Sequence, residues 1–278
     1  MKRRYDQLDV FSAVVLKGNP LAVVHAAEGL PDATMAAFAR WTNLSETTFL
    51  LPPTDPAADY RVRIWTPGGE LPFAGHPTLG SCHAWLAAGG RPQEAGMVVQ
   101  QCGVGLVRIR RRDGRLAFAA PPLRRRGPLG AVLRARIAAG LGVAETDLLH
   151  DQWVDNGPGW CAVMLRDAAQ VLAVVPDRER LADLKLGLVG AQAPGQETRF
   201  EVRAFVPLLG VAEDPVTGSL NAGLAQWLIG AGLAPPRYVA AQGAALGRAG
   251  RVHVEQDGAE IWIGGDVAEC IRGEVEIG

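Results

Sequence analysis

Glu70-Leu-Pro-Phe-Ala-Gly-His-Pro-Thr-Leu-Gly80 is answered half a chain later by Glu213-Asp-Pro-Val-Thr-Gly-Ser-Leu-Asn-Ala-Gly223. Laid together without a gap, Glu70 falls on Glu213, Pro72 on Pro215, Gly75 on Gly218, His76 on Ser219 and Gly80 on Gly223. Each copy follows an Arg-x-aromatic-x-Pro strand end, Arg63-Ile64-Trp65-Thr66-Pro67 in one half and Arg203-Ala204-Phe205-Val206-Pro207 in the other. Each precedes an apolar run that stops in glycines, at Gly89-Gly90 and at Gly230-Ala231-Gly232. The repeated unit reads as strand, glycine loop, helix. The first four N–H groups of a helix lack intrahelical partners and sit at the positive end of its dipole. Two such junctions are therefore expected to form a cradle for a small carboxylate. Pro77 is predicted at the first helical position and Ser219 as the cap of the second helix. Gly75 and Gly218 would admit a ligand to bare backbone.

Working outward, residues 8–15 and 21–24 read as strands joined by the turn Lys17-Gly18-Asn19-Pro20. Pro31-Asp32 opens a helix with Met35, Phe38 and Trp41 at helical spacing on its apolar face. The loop from Asn43 runs into an apolar strand, with Glu46 at its edge. Read alone, Glu46 is either a solvated loop residue or an acid held beside that strand. Residues 59–65 form the strand before the first glycine loop. Short strands follow over 97–101, 105–110 and 115–119, the last two joined by the hairpin signal Asp113-Gly114. In the second half the pattern predicts helices over 129–141, 177–185 and 219–229. Strands are predicted over 161–165, 200–206, 251–255, 260–263 and 271–277. On this reading the loop 153–160 takes the place that 43–49 holds in the first half. It has no glutamate where Glu46 would fall, so the duplicated frame is chemically asymmetric.

Short strands with one strongly apolar central helix per half predict an α+β protein of two pseudo-equivalent domains, 1–122 and 123–278. Each is expected to be a curved, mostly antiparallel sheet wrapped around a helix, with the last strand able to return to the first domain. A doubly wound fold would need regular alternation of strands and helices, which is missing.

The 278 residues are 48% apolar and 21% charged, with a net charge of −1, which points away from nucleic acid and anionic membranes as partners. The arginines at 108, 110, 111, 112 and 115 bracket the Asp113-Gly114 turn and have no aromatic ladder among them, so they belong to a solvated hairpin. Cys82, Cys102, Cys161 and Cys270 show no CxxC spacing and are expected as reduced thiols of a cytoplasmic protein. No apolar run is long enough to span a bilayer. His76 and His83 are two helical turns apart and no carboxylate–cysteine set completes a metal site, so no metal is expected. No P-loop is present, and Gly103-Val104-Gly105 lacks the third glycine of a dinucleotide fingerprint. Gly243 to Gly250, with Arg248 between, reads as a glycine-rich turn. Lys2, Lys17 and Lys185 are the only lysines and none lies in a motif, which argues against pyridoxal phosphate.

With these residues in view, the chain resembles the PhzF-like (phenazine biosynthesis PhzC/PhzF) family, which has the diaminopimelate-epimerase-like fold. The resemblance rests on Asp9-Val10-Phe11 with Gly18-Asn19-Pro20-Leu21-Ala22-Val23-Val24, on Asn43-Leu44-Ser45-Glu46-Thr47, and on Phe73-Ala74-Gly75-His76-Pro77-Thr78-Leu79-Gly80. It continues through Glu213-Asp214-Pro215-Val216-Thr217-Gly218-Ser219, and through Gln242-Gly243 with Gly247-Arg248-Ala249-Gly250. It implies an active site between two similar domains, no cofactor, a homodimer, and isomerase chemistry such as that on trans-2,3-dihydro-3-hydroxyanthranilate. Carried over residue by residue, it makes Glu46 the acid/base, with His76 and Asp214 as its catalytic companions. Gly75, Pro77 and Thr78 in the first loop, and Thr217, Gly218 and Ser219 in the second, would contact the substrate. Racemases of this fold use one cysteine in each glycine loop. Here the loops read Ala74-Gly75-His76 and Thr217-Gly218-Ser219, which makes a two-thiol mechanism improbable. The alternatives are an epimerase-like enzyme for another small amino or hydroxy acid and a non-catalytic ligand-binding relative.

Overall fold

In a computed structural model of the chain, residues 1–207 and 213–278 are described. The chain divides into two compact units, Met1–Ala119 with Gly264–Gly278, and Ala120–Ile263.

In the first unit β1 (Lys2–Val10) lies antiparallel to β2 (Asn19–Val24) on one side and to β17 (Val267–Glu276) on the other. Helix α1 (Asp32–Thr42) leads to β3 (Glu46–Leu51), which runs parallel to β2 and antiparallel to β4 (Tyr60–Thr66). The short β5 (Gly69–Leu71) folds back on β4, and α2 (Gly75–Ala87) follows. Strand β6 (Met97–Cys102) then runs parallel to β4, and β7 (Gly105–Arg112) and β8 (Arg115–Ala119) continue as a meander. Asp113 and Gly114 both take the left-handed conformation, at φ 52° and 79°, as the Asp-Gly hairpin signal requires.

The second unit repeats this order. After α3 (Ala131–Leu141) come β9 (His150–Trp153), β10 (Trp160–Met164), α4 (Ala168–Ala173), β11 (Lys185–Ala191) and β12 (Phe200–Phe205). Then follow β13 (Glu213–Asp214), α5 (Gly218–Gly230), β14 (Arg237–Gln242), β15 (Gly250–Asp257) and β16 (Glu260–Gly265). Strand β10 is antiparallel to β9 and parallel to β11, as β2 is to β1 and β3. Strand β12 is antiparallel to β11 and β13 and parallel to β14, as β4 is to β3, β5 and β6. Most described pairings are antiparallel, and the protein is α+β.

Each unit holds one helix that is buried on nearly every side. In α2 every residue from Gly75 to Cys82 is buried, and the helix packs against β1, β2, β3 and β8. In α5 Gly218, Leu220 to Ala225, Trp227 and Leu228 are buried. A helix buried nearly all round has no solvated face to present, so it becomes a core around which strands wrap. Gly80 and Gly223 permit that wrapping. A Cβ on Gly80 would come within 2.4 Å of Leu21, and one on Gly223 within 2.3 Å of the Val154 carbonyl oxygen.

Several local expectations change. The first strand spans Lys2–Val10 rather than 8–15, because Phe11 turns the chain at φ 65° and β17 pairs with β1 along its whole length. Trp41 is 79% exposed, so only Met35, Phe38 and Ala39 form the buried face of α1. No helix forms over 177–185. Asp177 accepts from the Arg180 amide to make a single turn, and the chain then enters β11 at Lys185. The helix lies earlier, as α4, where the Asp167 carboxylate caps the Gln170 amide. Strand β11 carries glycines because its neighbours crowd it. A Cβ at Gly187 would meet Leu220 at 2.5 Å, and one at Gly190 the Asp167 carbonyl at 2.4 Å. Among the described residues no helix is long and apolar enough to cross a membrane.

Candidate active site

Glu46 opens β3 and His76 sits in the first turn of α2. Their Oε2 and Nε2 atoms are 3.2 Å apart, with side chains only 14% and 5% exposed. Asn19, the first residue of β2, places Nδ2 3.2 Å from His76 Nδ1 on the far side of the ring. Burial pushes the imidazole down to about 3, against the opposing pull of the Pro20 carbonyl, so the ring is neutral at pH 7. A neutral imidazole carries one N–H. Nε2 and Glu46 Oε2 approach closely without forming a hydrogen bond.

Helix α2 starts two residues earlier than predicted, with Ala74 as its N-cap, so Pro77 is its third residue. Proline is tolerated there because that position also lacks an intrahelical N–H bond. Thr78 is buried; its hydroxyl donates to the Ala74 carbonyl (2.8 Å) and accepts from Gln100 Nε2 (3.0 Å). Ser81 donates to Thr48 (2.9 Å) and ties the helix to β3.

The second glycine loop is built by the other unit. Its N-cap is Thr217 and not Ser219, because α5 begins at Gly218. Thr217 does not cap the helix with its hydroxyl, which donates instead to Asp214 Oδ2 at 2.5 Å. Ser219 holds the same helical position as His76. Its Oγ accepts from Trp160 Nε1 (3.0 Å) and its carbonyl from Asn156 Nδ2 (2.8 Å). Upstream, Arg203 grips Glu213 through two bonds of 3.0 and 2.8 Å and donates to the carbonyls of Val171 and Val174 at the end of α4. Arg63 and Glu70 make the same two-bond pair in the first unit, at 2.7 Å each. Neither N-cap side chain closes off the amides of the first helical turn, in α2 or in α5.

Strand pairing identifies the counterpart of Glu46. In the first unit Leu21 of β2 faces Glu46 of β3, and in the second Trp160 of β10 faces Lys185 of β11. The loop 153–160 therefore corresponds to the connection between β1 and β2, and Lys185 stands where Glu46 stands. Burial lowers the Lys185 ammonium pKa, with Asp155 opposing. Asn19, Asn156, Trp160 and Gln242 bond to the glycine-loop residues without being marked by spacing or residue type. Asn19 and Gln242 lay inside the quoted motifs, and their side-chain partners emerge only on folding.

The thiols are poorly placed for nucleophilic work. Cys82 is buried in the middle of α2, and burial raises its pKa. Burial likewise pushes Cys161 up to about 12 and raises Cys102 and Cys270. All four are thiols rather than thiolates at neutral pH.

The sequence profile of the phenazine biosynthesis-like proteins, PhzC-PhzF, matches residues 8–269. "Antisense-enhancing sequence 1" of Schizosaccharomyces pombe is 34% identical over 289 residues, covering 97% of each chain. Trans-2,3-dihydro-3-hydroxyanthranilate isomerase of Pseudomonas fluorescens is 34% identical over 80% of this chain and 78% of its own. Among solved structures, a PhzF-family protein of Enterococcus faecalis superposes with a TM-score of 0.83 at 26% identity, covering 99% of this chain and 100% of that one.

Proposed function

The chain belongs to the phenazine biosynthesis-like PhzC-PhzF family, and from that premise we propose that it is an isomerase in which Glu46 moves a proton on a small carboxylate-bearing ring. The observation that carries the reading is the 3.2 Å approach of Glu46 to a buried, neutral His76. Glu46 takes a proton from one ring carbon, and the electron pair left behind shifts through the adjacent double bond. The same proton, or one exchanged with His76, returns to a second carbon on the same face. No charge is gained or lost, and the double bond has moved. On substrate binding the 3.2 Å approach tightens into a hydrogen bond through which His76 orients Glu46. Asp214 holds the substrate's polar groups, and Gly75, Pro77, Gly218 and Ser219 contact it through the glycine loops.

The test is trans-2,3-dihydro-3-hydroxyanthranilate, the compound in the name of the Pseudomonas relatives, incubated in deuterium oxide and followed by NMR. The wild-type chain is expected to isomerise it. Glu46→Gln keeps the shape but cannot take up a proton, and is expected to lower turnover about a hundredfold to ten-thousandfold. A folded Glu46→Gln protein working at the wild-type rate would remove Glu46 from the reaction.

A further inference from the structure

Gln242 is the last residue of β14 and is buried. Its side chain is bonded on both ends. Oε1 accepts from the Thr217 amide at 3.0 Å and from Asn221 Nδ2 at 2.9 Å. Nε2 donates to the Asp214 carbonyl at 3.1 Å and to Thr217 Oγ1 at 2.9 Å. Two of these partners admit no choice, since the Thr217 N–H can only donate and the Asp214 carbonyl can only accept. They fix which end of the amide is oxygen. The Thr217 hydroxyl must then accept from Gln242, and its single proton is directed at Asp214 Oδ2, 2.5 Å away. The result is a one-way chain of donors from amide to hydroxyl to carboxylate, in which each bond strengthens the next.

The strand end fits tightly beneath the loop. A Cβ on Gly243 would lie 2.7 Å from the Pro215 carbonyl oxygen, and one on Gly250 would lie 2.4 Å from Val216. The glycine-rich turn from Gly243 to Gly250, together with Gln242, is thus the platform on which residues 214–217 rest. The first unit contains the same device with a different end. Gln100 of β6 accepts from the Tyr60 hydroxyl (2.7 Å) and donates to Thr78, whose hydroxyl donates to the Ala74 carbonyl. There the chain stops on backbone. In the second unit it stops on an ionisable side chain.

We propose that Gln242 is a positioning residue for the reaction, acting through the Thr217 hydroxyl to set the orientation of the Asp214 carboxylate toward the substrate. The proposal rests on the reading above that Asp214 holds the substrate.

Two measurements test it in the full-length chain. The first needs no substrate: a hydroxyl whose oxygen lies 2.5 Å from a carboxylate oxygen gives a downfield NMR resonance. It is expected in wild type and Glu46→Gln, and lost in Thr217→Val and Gln242→Met. The second is kinetic. Gln242→Met and Thr217→Val are each expected to lower kcat/KM about tenfold to a hundredfold, and the double variant by no more than the worse single. Thr217→Ser restores the hydroxyl and the rate. Gln242→Glu keeps the acceptor and removes both donors, so it is expected to behave as Gln242→Met and serves if that variant fails to fold. A folded wild type without the resonance, its survival in the Gln242 variants, or fully additive losses would overturn the proposal. Failure of wild type to turn over trans-2,3-dihydro-3-hydroxyanthranilate would count against the proposed reaction and leave the resonance to decide the relay.

Discussion

In the first unit the Arg63–Glu70 pair lies toward the surface, with side chains 24% and 38% exposed and Asp32 as a further partner of the guanidinium. In the second, the matching Arg203–Glu213 pair is 7% exposed on both sides, and Arg203 also closes the carbonyl end of α4. The repeat extends to an aromatic ring two residues on. Arg63 lies over Trp65 at 5.3 Å, and Arg203 over Phe205 at 4.8 Å. One pattern of residues thus serves two ends. Glu213 stands immediately before Asp214, so the second loop is held from upstream by a buried ion pair and from behind by Gln242. The first loop is held by the packing of α2 and by Ser81 on Thr48, and it brings His76 to Glu46.

Removing each acid should separate the two pairs most widely. Glu213→Ala leaves the Arg203 charge buried and is expected to destabilise the protein by about 3–5 kcal/mol. Glu70→Ala gives up an exposed pair and is expected to cost about 0–1 kcal/mol. Urea unfolding of both variants measures the difference, and equal losses would mean that burial does not distinguish the pairs.

The glycines at matching positions in the two central helices sharpen the comparison further. Gly223→Ala drives a methyl against the Val154 carbonyl, which cannot rotate away, and is expected to destabilise by about 1–3 kcal/mol. Gly80→Ala meets the side chain of Leu21, which can shift, and is expected to lie at or below the lower end of that range. Thermal unfolding of the pair ranks them, and a larger loss at Gly80 would reverse the argument.

The smallest effect is expected at Cys82, where the second helix carries Ala225. Cys82→Ala makes the two helices alike at that position. It is expected to cost about 1 kcal/mol, as a small buried group is lost, while turnover stays within a few-fold. A hundredfold fall in turnover with folding intact would return a thiol to the mechanism.

The diaminopimelate-epimerase-like fold was implied by the family resemblance; the duplication, the α+β class and both glycine loops were legible in the chain itself. Each is written locally, in glycine spacing, in an apolar run without a polar face, and in an Asp-Gly turn. Strands β11 and β14 were not legible. Gly187 and Gly190 in the one, and paired alanines in the other, weaken the periodic signal, and both strands form because neighbours crowd or pair with them. The helix placed over 177–185 failed for the converse reason, since local charge and apolar spacing lost to the pairing that begins at Lys185.

By itself the sequence determined the family and singled out Glu46, His76 and Asp214 as the residues to examine. Only the tertiary structure decided that Lys185 is the partner of Glu46 in the repeat, because that equivalence is a strand register and not an alignment of letters. The polar contacts were decided there too. Asn19 meets His76 across 57 residues of chain and Gln242 meets Thr217 across 25. Such contacts depend on which strands lie side by side after folding, and residues adjacent in sequence carry no record of it.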